Sequence, residues 1–313
     1  MGLFFISDIQ GLCFGAEDVK AAYIGSEQVW PVGGLPAWIE FADPEVQRIV
    51  VDRWGDGIGI TQEQVEAVTN IGDNTNYIFS NNELIETFDE FEYFTGVTSI
   101  KGDWNATLKD YSGAFANCSN LRTIKFPSSL RIINTYAFYN CKSLSVDITK
   151  MLQDITLVGI YAFSSCPVAG DLIAPNCTSI GRMAFSSTAI NRILDLGLIK
   201  TILGGNSSPF YNCHQLTMVT LPASLTQMEG GALFYNDNIT TIVCLATTPP
   251  TITNWTFKNA TIVAYYVPDD SVEAYKAATN WSAYASKIKP ISQLATDNPT
   301  LYEEVKDYLI VES

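Results

Sequence analysis

Two stretches of the chain read as the same short strand. In "LRTIKFP" (Leu121 to Pro127) and "LTMVTLP" (Leu216 to Pro222), apolar residues alternate in part with polar ones and a proline closes the run. Partial alternation over so few residues predicts a strand with one face turned inward, and proline, which has no N–H for a ladder, ends it. A second apolar stretch, "SLRIINTYAF" in one place and "SLTQMEGGALF" in another, then leads to a phenylalanine. With that residue as a marker, the chain gives Phe115, Phe138, Phe163, Phe185, Phe210, Phe234 and Phe257, at spacings of 23, 25, 22, 25, 24 and 23 residues. So narrow a period predicts a solenoid. One unit of about 23 residues cannot bury its own apolar stripe, whereas stacked units bury a continuous core in which like sits over like.

The residues around the marker repeat with it. Cys118, Cys141, Cys166 and Cys213 each stand three residues after their Phe, with Thr188 and Asp237 in the corresponding places of other coils. Leu121, Leu144 and Leu216 follow three positions later, with Ile190 and Ile239 in the less regular coils. The thiols are expected to stack as small side chains in the inner turn. Coils roughly 5 Å apart make a disulfide between neighbours sterically conceivable, while Thr188 in the column points to packing. The coils from Leu144 to Ser164 and from Ile190 to Phe210 lack the regular proline, which predicts bulged or slipped strands.

Helical patterns flank the array. In "FADPEVQRIVVDRWGDGIGITQEQVEAVTNI", Asp43 caps a helix with Pro44 in its first turn, and Val46, Ile49 and Val50 form one face. Thr61 and Gln64 make a capping box for a second helix with Val65 and Val68 inward. The loop between them places Asp52, Asp56 and Glu63 at positions 1, 5 and 12 of a calcium loop, with Gly57 at 6. Trp54 and Ile60 stand where oxygen donors belong, so the expectation is no resident metal or other cofactor, with calcium as the weak alternative. After the array, Val272, Tyr275, Ala278 and Trp281 fall at helical spacing behind Asp270 or Ser271 as cap, and Pro299 opens a second short acidic helix. Its Tyr302 and Tyr308 either pack back on the molecule or dock on a partner subunit.

Charge narrows the function classes. Lys and Arg total 18 against 33 Asp and Glu, a net charge of −15 that repels phosphate backbones and argues against nucleic acid. There is no run of eighteen apolar residues, and Asp8 and Gln10 interrupt the first apolar stretch, so neither a membrane span nor a secretion signal is expected. The one histidine, His214, sits beside Cys213 on a turn by register, which does not form a nucleophile–base pair. Asp89, Glu90 and Glu92 alternate with Phe88, Phe91 and Phe94 as a solvated face, and neither a phosphate loop nor a cleft with opposed carboxylates is apparent. No catalytic residues are assigned.

The phrase "AFxNCxxLxxIxxPxSLxxI" resembles the leucine-rich repeat of the BspA type, found in surface proteins of Bacteroides-like bacteria. The resemblance spans about residues 97 to 268. It implies a mainly β leucine-rich-repeat solenoid with short helical turns, and helix-loop-helix segments precede such arrays in related proteins. The "TTPPTI" of Thr247 to Ile252 and the helix after it resemble the family's terminal coil and cap. The chain then divides into a β-hairpin-like segment at 1–34, a helix-loop-helix cap at 35–96, the repeats at 97–268, and a helical cap with an acidic tail at 269–313. Residues 1–34 resemble N-terminal attachment segments of Bacteroides phage structural proteins, and a Met leading directly into them fits a virion component better than a secreted adhesin.

What remains for function is a surface. With the apolar strand positions inward, Arg122, Thr123 and Lys125 and, in a later coil, Thr217, Met218 and Thr220 are expected to line one outer face. The resulting expectation is a non-enzymatic recognition module on a bacterial surface or a phage virion, binding a host protein or glycan. The alternatives are an architectural spacer that oligomerises or joins a virion through residues 1–34, and, last, a surface hydrolase.

Overall fold

The computed structural model describes residues 22–24, 27–30, 38–71, 78–105, 110–233 and 235–309. In the N-terminal segment, β1 (Ala22–Ile24) pairs antiparallel with β2 (Glu27–Trp30). The other residues of the hairpin-like segment 1–34 lie outside the described residues.

The helix-loop-helix cap forms as its end signals require. Helix α1 (Pro44–Trp54) starts behind Asp43, whose Oδ1 accepts from the N–H groups of Glu45 and Val46 at 2.9 and 3.1 Å. Helix α2 (Gln62–Glu66) carries both halves of the Thr61–Gln64 capping box. Val46, Ile49, Val50, Val65 and Val68 are buried and merge with the solenoid core, where the Phe41 ring meets Phe88 and Trp54 meets Phe94.

The array is two stacks of short parallel strands joined by turns. The strands are β3 (Thr87–Phe88), β4 (Ser99–Ile100), β5 (Gly102–Asn105), β6 (Asp110–Gly113), β7 (Thr123–Ile124), β8 (Ile132–Ile133), β9 (Leu157–Val158), β10 (Ala169–Ile173), β11 (Ser179–Ile180), β12 (Ala189–Asp195), β13 (Thr201–Ile202), β14 (Met218–Leu221), β15 (Gln227–Met228), β16 (Thr241–Cys244) and β17 (Ala264–Val267). On one side β10, β12, β14, β16 and β17 pair in chain order, and β3 pairs with β7. On the other, β4, β8, β9 and β11 pair, as do β13 and β15. The order of strands in space is their order in the chain, which is the topology of a solenoid. The antiparallel pair β5–β6 is an insertion that the periodic reading did not show. Its Gly113 lies so close to the next coil that an added Cβ would stand 2.0 Å from the Tyr136 carbonyl.

The marker aromatics form one interior column. Phe115, Phe138, Phe163, Phe185 and Phe210 stack at centroid distances of 5.1, 5.2, 5.5 and 6.0 Å with ring planes within 12°. Phe79 extends the column at 5.2 Å below Phe115. Four markers are tied to the next coil through the backbone: the N–H groups of Phe115, Phe138, Phe163 and Phe185 donate to the carbonyls of Ala137, Ala162, Ala184 and Pro209. The asparagine of "AFxNC" adopts a left-handed conformation, at φ near 60° in Asn117 and Asn140, which Asn tolerates better than most side chains. Its amide then reaches the coil before it, Asn140 Nδ2 to Asn117 Oδ1 at 2.8 Å and Asn117 Nδ2 to Asn81 Oδ1 at 2.9 Å.

One coil departs from its sequence register. The marker Phe234 lies outside the described residues; Leu233 is fully buried, and Tyr235, two residues on, takes the left-handed turn that Asn117 takes after Phe115. The cysteine's place therefore belongs to Asn236, which is buried, and Asp237 faces solvent. The coils without proline are irregular in two different ways. Strand β12 shows register shifts against β10, whereas the coil after Leu144 keeps only an Asp147–Ala169 bridge and then a 3-10 turn at Ile148–Lys150.

The C-terminal cap is built from α3 (Val272–Ala277), β18 (Ile288–Pro290), α4 (Leu294–Asp297) and α5 (Pro299–Val305). Strand β18 adds to β17 and closes the edge of the sheet. Tyr275 and Trp281 are buried against the last coil, their rings 4.9 Å apart. They do not share one helix: α3 ends at Ala277, Asn280 turns left-handed, and Trp281 begins a separate 3-10 segment. The Ser271 hydroxyl does not cap α3 but donates to the Thr247 carbonyl at 2.8 Å, and Asn298 caps α5 through Leu301 N–H.

Candidate functional site

Two surfaces carry the residues that the strand pattern singles out, and they differ. In the N-terminal half, Arg122, Thr123 and Lys125 are exposed on the outer face of β7. Arg122 pairs with Glu86 at 3.0 Å and Lys125 with Glu92 at 3.2 Å. Pairs this open contribute little to stability, which leaves the cations available to a ligand.

Beside them the strand stack is interrupted. Strand β7 pairs with β3, and Asp147 bridges forward to Ala169; among the described residues no ladder joins β7 to the coil of Asp147. A groove of about 490 Å³ opens there. Its floor is apolar (Ile124, Leu130, Ile155 and half-buried Phe126, Val146 and Met151), and Thr123, Lys125, Asp147 and Lys150 stand on its walls. The Asp147 carboxyl is held below the usual range by donation from the Thr149 hydroxyl and N–H.

In the C-terminal half the expectation is corrected. Thr217 is exposed, but Met218 and Thr220 are both only 1% accessible. Helices α4 and α5 lie across the outer face of the sheet, so that Leu294, Val305 and Leu309 close over Met218, Val243, Leu245 and Tyr266. The outward residues of β14, β16 and β17 thus form a second core, distinct from the inward one that holds Val219, Ile242 and Tyr265. A strand buried on both faces reads as a continuous apolar run; "IVCLA" and "AYYV" are such runs, and "MVTL" is broken only by Thr220. Tyr302 and Tyr308 pack against this cluster.

Polar contacts fix the tail. Arg192 gives Nε and Nη2 to Asp171, at 3.0 and 2.6 Å, and turns Nη1 to Glu304. Asp297 accepts from Lys289 Nζ at 2.6 Å and from the Tyr266 hydroxyl at 2.9 Å. Lys289, then Tyr266, hold the Asp297 carboxyl below its ordinary value. Its contribution is therefore complete above the unfolded carboxylate pKa and is lost as pH falls through the lowered one.

The thiols stand in a hydrogen-bonded column. Cys118, Cys141, Cys166 and Cys213 donate to the carbonyls of Phe79, Phe115, Phe138 and Phe185 in the preceding coil, at 2.9, 3.0, 2.8 and 3.0 Å. Asn236 Nδ2 makes the same bond to Phe210 at 2.9 Å, which identifies the position as a donor site and not merely a small one. Among the described residues the six cysteines are free and buried. Burial pushes Cys118 up to about 12 and Cys213 and Cys244 to about 11, so almost no thiolate exists at neutral pH. These six are expected to resist alkylation by iodoacetamide at pH 8 in the folded protein and to react fully in denaturant. Mass spectrometry reads the result, and rapid labelling of Cys141 in native buffer would contradict the packing.

His214 is exposed, and its carbonyl accepts from Asn238 at 2.6 Å, while the neighbouring Cys213 thiol turns inward to Phe185. In the cap loop, Asp52 is exposed and pairs with Arg48, Asp56 Oδ1 accepts from the N–H groups of Ile58 and Gly59, and Glu63 is exposed in the first turn of α2. The three carboxylates are not brought together, and among the described residues no cluster of three His, Cys, Asp or Glu side chains is placed to hold a metal. No described helix is long and apolar enough to cross a membrane.

Parallel coils in chain order, a stacked aromatic column and a thiol ladder define a leucine-rich-repeat solenoid. The chain belongs to the BspA-type leucine-rich repeat family, whose repeat region matches it in six copies over residues 91–204 and 199–277. No curated protein matches it. Among solved structures it is similar to a leucine-rich repeat protein from Bacteroides ovatus ATCC 8483, at 20% identity and a TM-score of 0.34, over 58% of this chain and 46% of that one. The chain thus spans less than half the length of that protein.

Proposed function

We propose that the protein is a non-enzymatic recognition module, displayed on a bacterial surface or a phage particle, that binds a host protein or glycan through the uncovered strand face around Arg122, Thr123 and Lys125. The groove beside β7 carries this reading, because it joins an apolar floor to exposed cations at a break in the strand stack. An extended polypeptide suits it best, since the side of β7 away from β3 has no ladder partner among the described residues and an added segment gains main-chain hydrogen bonds there. Membership of a leucine-rich repeat family, whose modules generally bind proteins, supports the same reading.

Surface plasmon resonance against immobilised mucin and extracellular-matrix proteins tests it. Binding to at least one probe is expected, weakened about tenfold or more, or about 1.4 kcal/mol, by Arg122→Glu with Lys125→Glu. Binding that is indifferent to these changes, or found with no probe, sinks the reading. The spacer alternative draws support from the β1–β2 pair in the segment 1–34. Light scattering of the chain with residues 1–34 removed separates the two, since loss of an assembled state favours the spacer.

A further inference from the structure

The outward strand positions change character along the solenoid. They are Thr123 and Lys125 at β7, but Met218 at β14, Val243 at β16 and Tyr266 at β17. An apolar strip of this kind would be a liability in water, and the chain covers it with its own last residues. The covering helices α4 and α5 have four and seven residues, too short to persist away from the sheet. Docking alone orders them. They are also acidic, with Asp297, Glu303, Glu304 and Asp307 against Lys306. Two cations of the body meet them, with Asp171 holding the Arg192 fork so that Nη1 faces Glu304 and Lys289 facing Asp297.

From this we infer that the strip across β12, β14, β16 and β17 is a docking surface for a short acidic amphipathic helix, occupied in cis by residues 291–309 and open to a partner protein's helix of the same chemistry. The tail shows what the surface selects: aliphatic anchors at Val305 and Leu309 in the strip, and a carboxylate on Arg192. The tail packs seven apolar residues on the strip, from Ile291 to Leu309, but its ion pairs are partly exposed and its helices have no other support, so it can open as a unit below the free energy of global unfolding. A partner helix therefore enters by displacing the tail, and the effective concentration of the tethered segment sets the affinity that the partner needs. The surface is separate from the groove at β7, so this inference does not rest on the function proposed above.

The probe is a fluorescein-labelled peptide of residues 291–309, and the protein is the full chain. Fluorescence anisotropy is expected to show the peptide binding the Val305→Asp, Leu309→Asp variant at least tenfold more tightly than the unaltered chain. Adding Arg192→Glu to that variant should abolish the gain, whereas Arg122→Glu with Lys125→Glu should leave it unchanged. Equal peptide affinity for the variant and the unaltered chain overturns the inference. Hydrogen exchange on the unaltered chain decides the matter even if the variant fails to fold. Amides of 294–309 should exchange at least tenfold faster than those of β14 and β16, and equal protection means a permanent cover and overturns it.

Discussion

Phe138→Ala should destabilise the array more than any other single truncation in the column, by about 3–5 kcal/mol for the loss of a buried aromatic side chain. Its ring lies between Phe115 and Phe163 at 5.1 and 5.2 Å, with planes within 6° of both, and Phe126 covers its edge at 5.7 Å. The backbone bonds that set the spacing remain in the variant, among them Phe138 N–H to Ala162 and the Cys166 thiol to the Phe138 carbonyl. The neighbouring rings therefore cannot close the gap, and the void keeps its full size. Phe138→Leu should recover about half of the loss by filling most of that volume. Denaturant unfolding monitored by circular dichroism reads both. A loss below about 1 kcal/mol, outside the range for such truncations, would mean that the column is not what holds the coils together.

Asp43→Ala should be the costliest polar substitution. The carboxylate is 4% accessible and accepts four backbone N–H groups: Glu45 and Val46 at the start of α1 through Oδ1, and Glu86 and Thr87 at 2.6 and 3.1 Å through Oδ2. Removing a helix cap alone lowers stability by about 0.5–2 kcal/mol. Leaving the Glu86 and Thr87 donors without this acceptor adds about 1–3 kcal/mol, so about 3 kcal/mol in all is expected. Asp43→Asn retains one acceptor and should fall between. Thermal melts of the three proteins check the order. If alanine melts with the unaltered chain, the cap and the first coil are not coupled through this side chain.

Most of the solenoid was legible because its determinants are local or strictly periodic. Asp43, Pro44, Thr61 and Gln64 satisfy helix ends within four residues, and the structure holds each where the spacing put it. The asparagine in "AFxNC" was visible but unexplained, because its left-handed turn and its bond to the coil below exist only once coils are stacked. The place of Leu233 in its coil has the same origin. Two adjacent apolar residues satisfy a period equally well, and only the turn at Tyr235 and the Asn236 bond to Phe210 select Leu233.

The candidate face was half legible. Strand alternation correctly exposes Arg122, Thr123, Lys125 and Thr217, and it fails at Met218 and Thr220. Alternation tells which residues leave the inner core; it does not tell whether something else covers them.

By itself, then, the amino-acid sequence determined the period, the inner column, the helix caps and the family, because each depends on neighbours in the chain or on the same position one coil away. Only the tertiary structure decided which stretch of the strand face stays open. That depends on contacts such as Arg192 to Glu304, 112 residues apart, between a tail outside the repeat and strands within it. A contact of that kind has no period to read.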